Sequence, residues 1–275
     1  MEPRKPSFHE TNGLAHTNHP RYRGLVGHWI MNESGGATIY DLSGSSYNGT
    51  LTNVTWTQGP FGPATNYNGT TSSAAFGDIN ALDCLSALTV EMSFTPRALA
   101  DFAHFINKRP DAATSGWSVQ DGGSGFGDNN DMIFLTSGGS ATFGHTTGNF
   151  LAVGQTTHFV GVFDGAGADN PAKLKIYING LSRTLGYLGT IPTSITANAY
   201  QLYFGRSGDD GEGRGNLDIH YVRIWTRALS ADEVWSLYAD PFLEWAYPVD
   251  DEWNTIAAAG IAIPVLTRQY RERWA

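Results

Sequence analysis

Leu217-Asp-Ile-His-Tyr-Val-Arg-Ile-Trp225, running into Thr226-Arg-Ala-Leu-Ser-Ala-Asp-Glu-Val-Trp-Ser-Leu-Tyr-Ala-Asp-Pro241, is the stretch on which the fold turns. Its first nine residues alternate with period two. They predict a strand with Ile219, Tyr221, Arg223 and Trp225 on one face and His220, Val222 and Ile224 on the other. The spacing then turns helical. Ser230 and Glu233 make a capping box, Val234, Leu237 and Tyr238 share one helical face, and Pro241 stops a helix predicted over 229–240.

Working outward, the same period recurs upstream. In Gly24-Leu-Val-Gly-His-Trp-Ile-Met-Asn-Glu33, Leu25, Gly27 and Trp29 alternate with Val26, His28 and Ile30. Gly35-Gly36, Ser43-Gly44 and Asn48-Gly49 are turn dipeptides. In Lys173–Gly180, Leu174, Ile176 and Ile178 are predicted inward and Lys173, Lys175 and Tyr177 outward. Among 275 residues, 33 glycines, 12% aromatics and only 16% charged residues fit many short strands joined by turns.

The opening "GLVGHW…NE", the turn Tyr40-Asp-Leu-Ser-Gly44 and the strand–"RALS"–helix ending together resemble laminin-G-like, concanavalin-A-like jelly rolls. The resemblance covers residues 24–242. It implies an all-β, concanavalin-A-like jelly-roll sandwich of two antiparallel sheets with one short C-terminal helix. Residues 1–23, with three prolines and little alternation, read as an extended arm, 24–240 as the jelly-roll domain and 241–275 as a second arm. Aromatics in that second arm, Trp245, Tyr247, Trp253 and Trp274, are candidate anchors for an interface with a neighbouring subunit.

Charge and composition exclude several classes. A net charge of −9, with scattered Lys and Arg, argues against nucleic acid as partner. Cys84 is alone, which rules out an intrachain disulfide and predicts a buried small hydrophobe. The N-terminus has no apolar h-region, and the longest apolar run, Ile256–Leu266, is too short to span a bilayer. These read as a chain without membrane insertion and without an ordinary secretory signal. The "LYADPF" ending resembles laminin-G-like proteins encoded by bacteriophages, which implies a virion protein that leaves its host by lysis, assembled as a homo-oligomer with other virion or surface proteins.

No carboxylate pattern of the glucanase kind, no H-E-x-x-H, no G-x-S-x-G and no P-loop occurs, so the chain is expected not to be an enzyme. The resemblance implies a rim calcium ion: Glu33 and Asp41 match its first part, whereas His220 and Tyr221 stand where acidic residues are usual, leaving Asp218 as the substitute. The Gly205–Gly215 loop, with Asp209, Asp210 and Glu212, is an alternative, and a solvated turn is the bland reading of either. For a glycan, the best candidate is the 117–131 loop, where Trp117, Gln120, Asp121, Phe126, Asp128 and Asn129 combine an aromatic with hydrogen-bonding groups. The expected function is a lectin-like decoration or adhesion module. A purely structural cement protein and a divergent polysaccharide-active enzyme are the alternatives.

Overall fold

The computed structural model describes residues 4–6, 19–123, 131–208 and 213–245. Its strands are β1 (Leu25–Trp29), β2 (Thr38–Ile39), β3 (Gly49–Thr52), β4 (Thr55–Gly59), β5 (Gly62–Asn68), β6 (Ser73–Ala75), β7 (Ala87–Ala98), β8 (His104–Lys108), β9 (Ser115–Asp121), β10 (Met132–Gly138), β11 (Ala141–Thr146), β12 (Thr157–Asp164), β13 (Leu174–Ile178), β14 (Leu181–Ser182), β15 (Leu185–Leu188), β16 (Tyr203–Phe204) and β17 (Asn216–Trp225). They form two antiparallel sheets. A back sheet runs β14-β13-β12-β7-β17-β5-β4, with β1 beside β17; a front sheet runs β15-β11-β10-β9-β8-β16-β6-β3-β2. With one nine-residue helix, Ala231–Ala239, this is the all-β sandwich that the sequence predicts.

The core lies between the sheets, because each strand sends alternate side chains inward. Leu88, Val90, Met92 and Phe94 of β7, Phe159 and Phe163 of β12, and Leu174, Ile176 and Ile178 of β13 enter from the back. Ile106, Trp117, Val119, Phe134 and Phe204 meet them from the front. Trp29 packs on Phe76 and Phe204 at ring-centroid distances of 4.8 and 5.5 Å. Its indole lies across Gly27, where a Cβ would approach the ring to 2.1 Å. Any other residue at 27 would displace Trp29, and full burial of such a side chain contributes roughly 2–3 kcal/mol.

Strand β17 departs from simple alternation. Leu217 and Ile219 face the core, a bulge between Ile219 and Tyr221 shifts the register, and Val222 and Ile224 take the next inward places. Ile219 and Tyr221 therefore lie on opposite faces, which corrects the sequence reading. His220 is the extra residue of the bulge.

The outer face of the back sheet carries the helix. Ser230 Oγ accepts from Glu233 N at 3.2 Å and Glu233 Oε2 accepts from Ser230 N at 2.9 Å, so the capping box forms as read. Val234 and Leu237 pack with Val160, Val162, Tyr177, Trp225 and Leu229 into a second apolar layer. Tyr177 does point outward, but the helix covers it. Tyr238, grouped with Val234 and Leu237 by spacing, is 40% exposed at the edge of the buried stripe. Cys84, expected inside, is exposed at a loop position with φ of 52°.

The expected N-terminal arm is in part held to the sandwich. Lys5 N donates to Phe61 O at 3.2 Å, Lys5 Nζ donates to Pro63 O, and Asn32 Nδ2 donates to Pro6 O at 3.0 Å. Trp225 Nε1 donates to Arg21 O at 2.6 Å, and Arg21 Nη2 reaches Ser236 Oγ at 2.9 Å. The compact unit ends at Phe242, and residues 243–275 form a second unit. Of that unit one turn, Leu243–Trp245, is described, so Trp245 is placed in it and Tyr247, Trp253 and Trp274 lie outside the described residues. No helix among the described residues is long and apolar enough to cross a membrane.

Candidate functional site

The front sheet's outer face carries an apolar cluster of Ile133, Leu135 and Phe143 with Ala113 over β10 and β11, and beside it, over β8 and β9, a polar part that one arginine organises. Arg109 Nη2 donates to His104 Nε2 at 2.8 Å and to Gln120 Oε1 at 3.2 Å, and its Nε donates to Ser118 Oγ at 3.0 Å. Its Nη1 donates to Pro110 O at 2.7 Å and Asp111 O at 3.1 Å. With Nε2 accepting from a guanidinium, His104 is the neutral Nδ1–H tautomer, and Nδ1 faces Gly213 O at 3.3 Å. Burial, with Arg109 adding, lowers its pKa to about 3. A single side chain thus fixes residues 110–111 and, through His104, residue 213 onto the floor of the face.

Beside that floor, half-buried Tyr203 pairs with Asn107 across β16 and β8, and the Arg206 guanidinium lies 4.5 Å over its ring. Asn107 Nδ2 donates to Arg109 O at 2.8 Å. Its Oδ1 and the buried Ser207 Oγ have no hydrogen-bond partner among the described residues. Arg214 donates to Ser72 O at 3.0 Å, and burial together with the charge of Arg206 lowers its pKa. The face therefore carries a half-buried aromatic–cation pair beside a buried amide oxygen and hydroxyl that lack hydrogen-bond partners among the described residues.

The structure splits the predicted sugar residues. Gln120 lies in the floor just described. Trp117 does not: β9 is a central strand, its odd positions face the core, and Trp117 is 0% exposed, so no sugar stacks on it. Asp121 is buried with Oδ2 accepting from Ala100 N at 3.1 Å. Burial first, then Asp101 and Asp131, raise it to about 8, so it keeps its proton at neutral pH. Asp131 Oδ1 accepts from Thr146 Oγ1 at 2.7 Å and Gly148 N at 3.0 Å. One aspartate is tied on the β8 side and the other on the β11 side. Phe126, Asp128 and Asn129 lie outside the described residues. Sequence reasoning does not reach Tyr203 and Arg206, because the strand Tyr203–Phe204 is two residues long and shows no period.

Glu33, Asp41 and Asp218 do not fit a calcium ion as a set. Asp41 Oδ1 accepts from His28 N and Ser43 N, both at 2.9 Å, and Oδ2 from Ser43 Oγ at 2.8 Å and Tyr47 N at 3.0 Å. Asp218 Oδ1 takes Arg97 Nε at 2.8 Å and Asn66 Nδ2 at 2.9 Å. Glu33 Oε1 accepts from Tyr40 N at 2.8 Å; burial raises its pKa, and the backbone donors and Lys5 only partly offset that. Both oxygens of Asp41 are taken by donors and Asp218 Oδ1 is taken by Arg97 and Asn66; among the described residues Glu33 Oε2 is buried without a partner, and no three His, Cys, Asp or Glu side chains converge. The Asp41 turn is held by hydrogen bonds where a hard cation would otherwise gather the oxygens.

The back sheet holds the other polar cluster, and it is closed. Arg223 Nη1 lies 3.1 Å from Glu91 Oε2, its Nε donates to His28 Nε2 at 2.9 Å, and its Nη2 donates to Pro241 O. His158 Nε2 is 2.9 Å from Glu91 Oε1. Burial alone would raise Glu91, but Arg223 and His158 more than offset it, and its pKa is lowered. Phe242 seals the cluster against Tyr221 at 5.4 Å and Phe61 at 5.8 Å.

A family model of laminin-G type, described as the concanavalin A-like lectin/glucanases superfamily, matches residues 68–235. The chain belongs to this superfamily. A comparison with curated protein sequences found no match. Among solved structures, domain 4 of AbnA, a GH43 extracellular arabinanase from Geobacillus stearothermophilus in complex with arabinotriose, is 19% identical with a TM-score of 0.59, covering 78% of this chain and 98% of that domain. The binding domain of Paraclostridial Mosquitocidal Protein 1 is 16% identical with a TM-score of 0.63, covering 83% of this chain and 56% of that one. Trypanosoma rangeli sialidase in complex with sialic acid is 15% identical with a TM-score of 0.55, covering 81% of this chain and 34% of that one. At these identities the likeness is one of fold.

Proposed function

We propose that this superfamily member is a non-catalytic carbohydrate-binding module that takes a sugar on the outer face of its front sheet, and that it is carried in many copies on a bacteriophage virion. The observation that carries the ligand reading is the half-buried Tyr203–Arg206 pair beside Asn107, Ser207 and Gln120. The open part of the Tyr203 ring and the guanidinium offer a sugar stacking and hydrogen-bond contacts, and the buried Asn107 and Ser207 lie beside them with acceptor oxygens unpaired among the described residues. The complexes of the arabinanase domain with arabinotriose and of the sialidase with sialic acid support the class of ligand. The virion setting rests on the sequence resemblance to phage-encoded laminin-G-like proteins and on affinity: a single shallow site of this kind binds near the millimolar end, about −4 kcal/mol. Many copies on one particle raise avidity by about 10²–10⁴-fold without a new contact.

A glycan array probed with the monomer and with a multivalent display of the full chain tests the reading. The expected result is retention of the display, lost in Tyr203→Ala with the melting temperature nearly unchanged. Silence from both forms leaves the structural cement protein. Mass spectrometry of purified particles tests the virion setting, and absence of the chain from them removes it. One observation favours a hydrolytic alternative: Asp121 keeps its proton with a second carboxyl group, Asp131, near enough to raise it. Its burial favours binding instead. Reducing ends released from an array hit by the wild type and not by Asp121→Asn would replace the module with an enzyme.

A further inference from the structure

The outer face of the front sheet does not end at Tyr203. Residues directly opposite each other in an antiparallel pair share a face, and the register carries Tyr203 to Ala75, Ala75 to Thr50 and Thr50 to Thr38. Their chain neighbours Phe204, Ala74, Leu51 and Ile39 pack into the core, so these four side chains stand on the outer side. Ala75 and Thr38 are half-buried and Thr50 is exposed. The row runs from β16 to β2, the last strand of the sheet, and crosses three inter-strand gaps, about 14 Å in all. In the other direction it passes from Tyr203 through Asn107 to Ser118 and Leu135, all three buried. A ligand chain seated at Tyr203 can therefore continue only toward β2.

A second line lies beside the first. Gln201, Gly77, Asn48 and Tyr40 each stand two residues from a member of the row, and all four are exposed. Leu202 N donates to Gly77 O and Asp41 N to Asn48 Oδ1, both at 2.9 Å, which holds these segments in place. A Cβ on Gly77 would meet nothing within 4 Å, so the space above it is open. Tyr40, at the outer end, is 43% exposed. At the inner end the fully buried Asn107 has an Oδ1 without a hydrogen-bond partner among the described residues.

We infer that the sugar site extends from Tyr203 across Ala75 and Thr50 to Tyr40, and that its ligand is an uncharged linear oligosaccharide laid across the strands. This rests on the reading of that face as a sugar site and names the class of ligand it takes. A single sugar would use only the ground beside Tyr203. A chain lying flat over Ala75 and Gly77 reaches a second ring, and each ring offers a stacking surface. The side chains between them bring hydroxyl and amide groups and no charge. Arg206, stacked on Tyr203, can donate to a sugar hydroxyl. With a net charge of −9 the chain repels an acidic polysaccharide at long range, and an uncharged one meets no such barrier.

Titration calorimetry of the full chain with cello-, xylo-, malto- and manno-oligosaccharides of one to six units tests this. For the series that binds, affinity is expected to rise with length until the chain reaches Tyr40 and then to level off, with about tenfold contributed by the second aromatic contact. Tyr40→Ala should lower the ratio of long-chain to disaccharide affinity by that factor, and Tyr40→Phe, which keeps the ring, should hold it, both with melting temperatures near wild type. Affinity independent of length, or a ratio that Tyr40→Ala leaves at the wild-type value, overturns the inference and leaves the sugar reading standing. Retention of acidic glycans alone on the array overturns the uncharged class. Silence of the wild type toward every sugar removes the site and the functional reading together.

Discussion

The two outer faces of the sandwich begin from the same alternation of inward and outward side chains and reach different ends. On the back sheet, the outward residues of β7, β12 and β17 are roofed by the Ala231–Ala239 helix and by Phe242, and the central charges of Glu91 and Arg223 are matched. On the front sheet no helix covers β8, β9 and β16 among the described residues. Arg109 pins the flanking segments instead, and Tyr203 and Arg206 remain half-buried at the rim. The difference lies in long-range cover. A closed face turns buried charge into architecture, and a face without a helix over it leaves an aromatic and a guanidinium half-buried at its rim.

The largest expected effect falls on the closed face. Replacing Arg223 with Met leaves the Glu91 carboxylate buried without its main counter-charge, which costs about 3–5 kcal/mol. Urea unfolding should show this loss, and the double variant Arg223→Met, Glu91→Gln should recover a large part of it. A single variant close to wild-type stability would mean that water reaches the cluster, and the contrast between the faces would collapse. Next comes the Asp41 turn. Asp41→Ala removes the acceptor of four hydrogen bonds and should cost about 2–3 kcal/mol. The cost should be equal in calcium and in chelator; a loss seen only in calcium would restore the ion to the turn.

The front face should show itself in the pH dependence. Asp121 rises from 3.8 to about 8 on folding, so the native state holds a proton that the unfolded chain releases. Stability then falls as pH rises from about 4 to about 8. Asp121→Asn should remove its share of that fall and gain roughly 1–3 kcal/mol at pH 8, with little effect at pH 4. His104 and His220 act in the other direction. Both drop from 6.5 to about 3, so the unfolded chain takes up protons the native state refuses, and stability is lost as pH falls through that interval. The acid limb thus belongs to both faces, and the fall with rising pH is shared between Asp121 and buried Glu33, whose pKa is also raised. An Asp121→Asn curve that falls toward pH 8 as steeply as the wild type would break the assignment.

How much was legible from sequence follows the range of the interaction. The capping box and the inward Leu174, Ile176 and Ile178 depend on neighbours a few residues away, and both hold. The bulge at His220 does not show in the β17 text because it is a property of its register with β7. Trp117-Ser-Val-Gln reads as an alternation whichever side faces the core, and only the position of β9 within the sheet sends Trp117 inside. Tyr203 sits on a two-residue strand, too short for any periodicity to register. Cys84 has a composition-based expectation of burial that its left-handed loop position overrides.

The smallest expected effect asks whether the two faces are independent. Ser230→Ala removes the hydroxyl that accepts from Glu233 N and leaves that first-turn amide to solvent. Such a cap contributes about 1 kcal/mol, less than a tenfold change in the folding equilibrium and well below the loss at Arg223. The helix touches the back sheet through Val234 and Leu237, while the front face is reached only across the whole core of the sandwich. A close-packed core transmits strain, but loss of a solvent-side hydroxyl imposes none, because the helix keeps its buried anchors. Ser230→Ala should therefore lower the melting temperature slightly and leave front-face retention on the glycan array unchanged. Retention that falls with the cap intact elsewhere and the fold preserved would show that the roof of one face sets the geometry of the other, and the separation drawn between them would have to be given up.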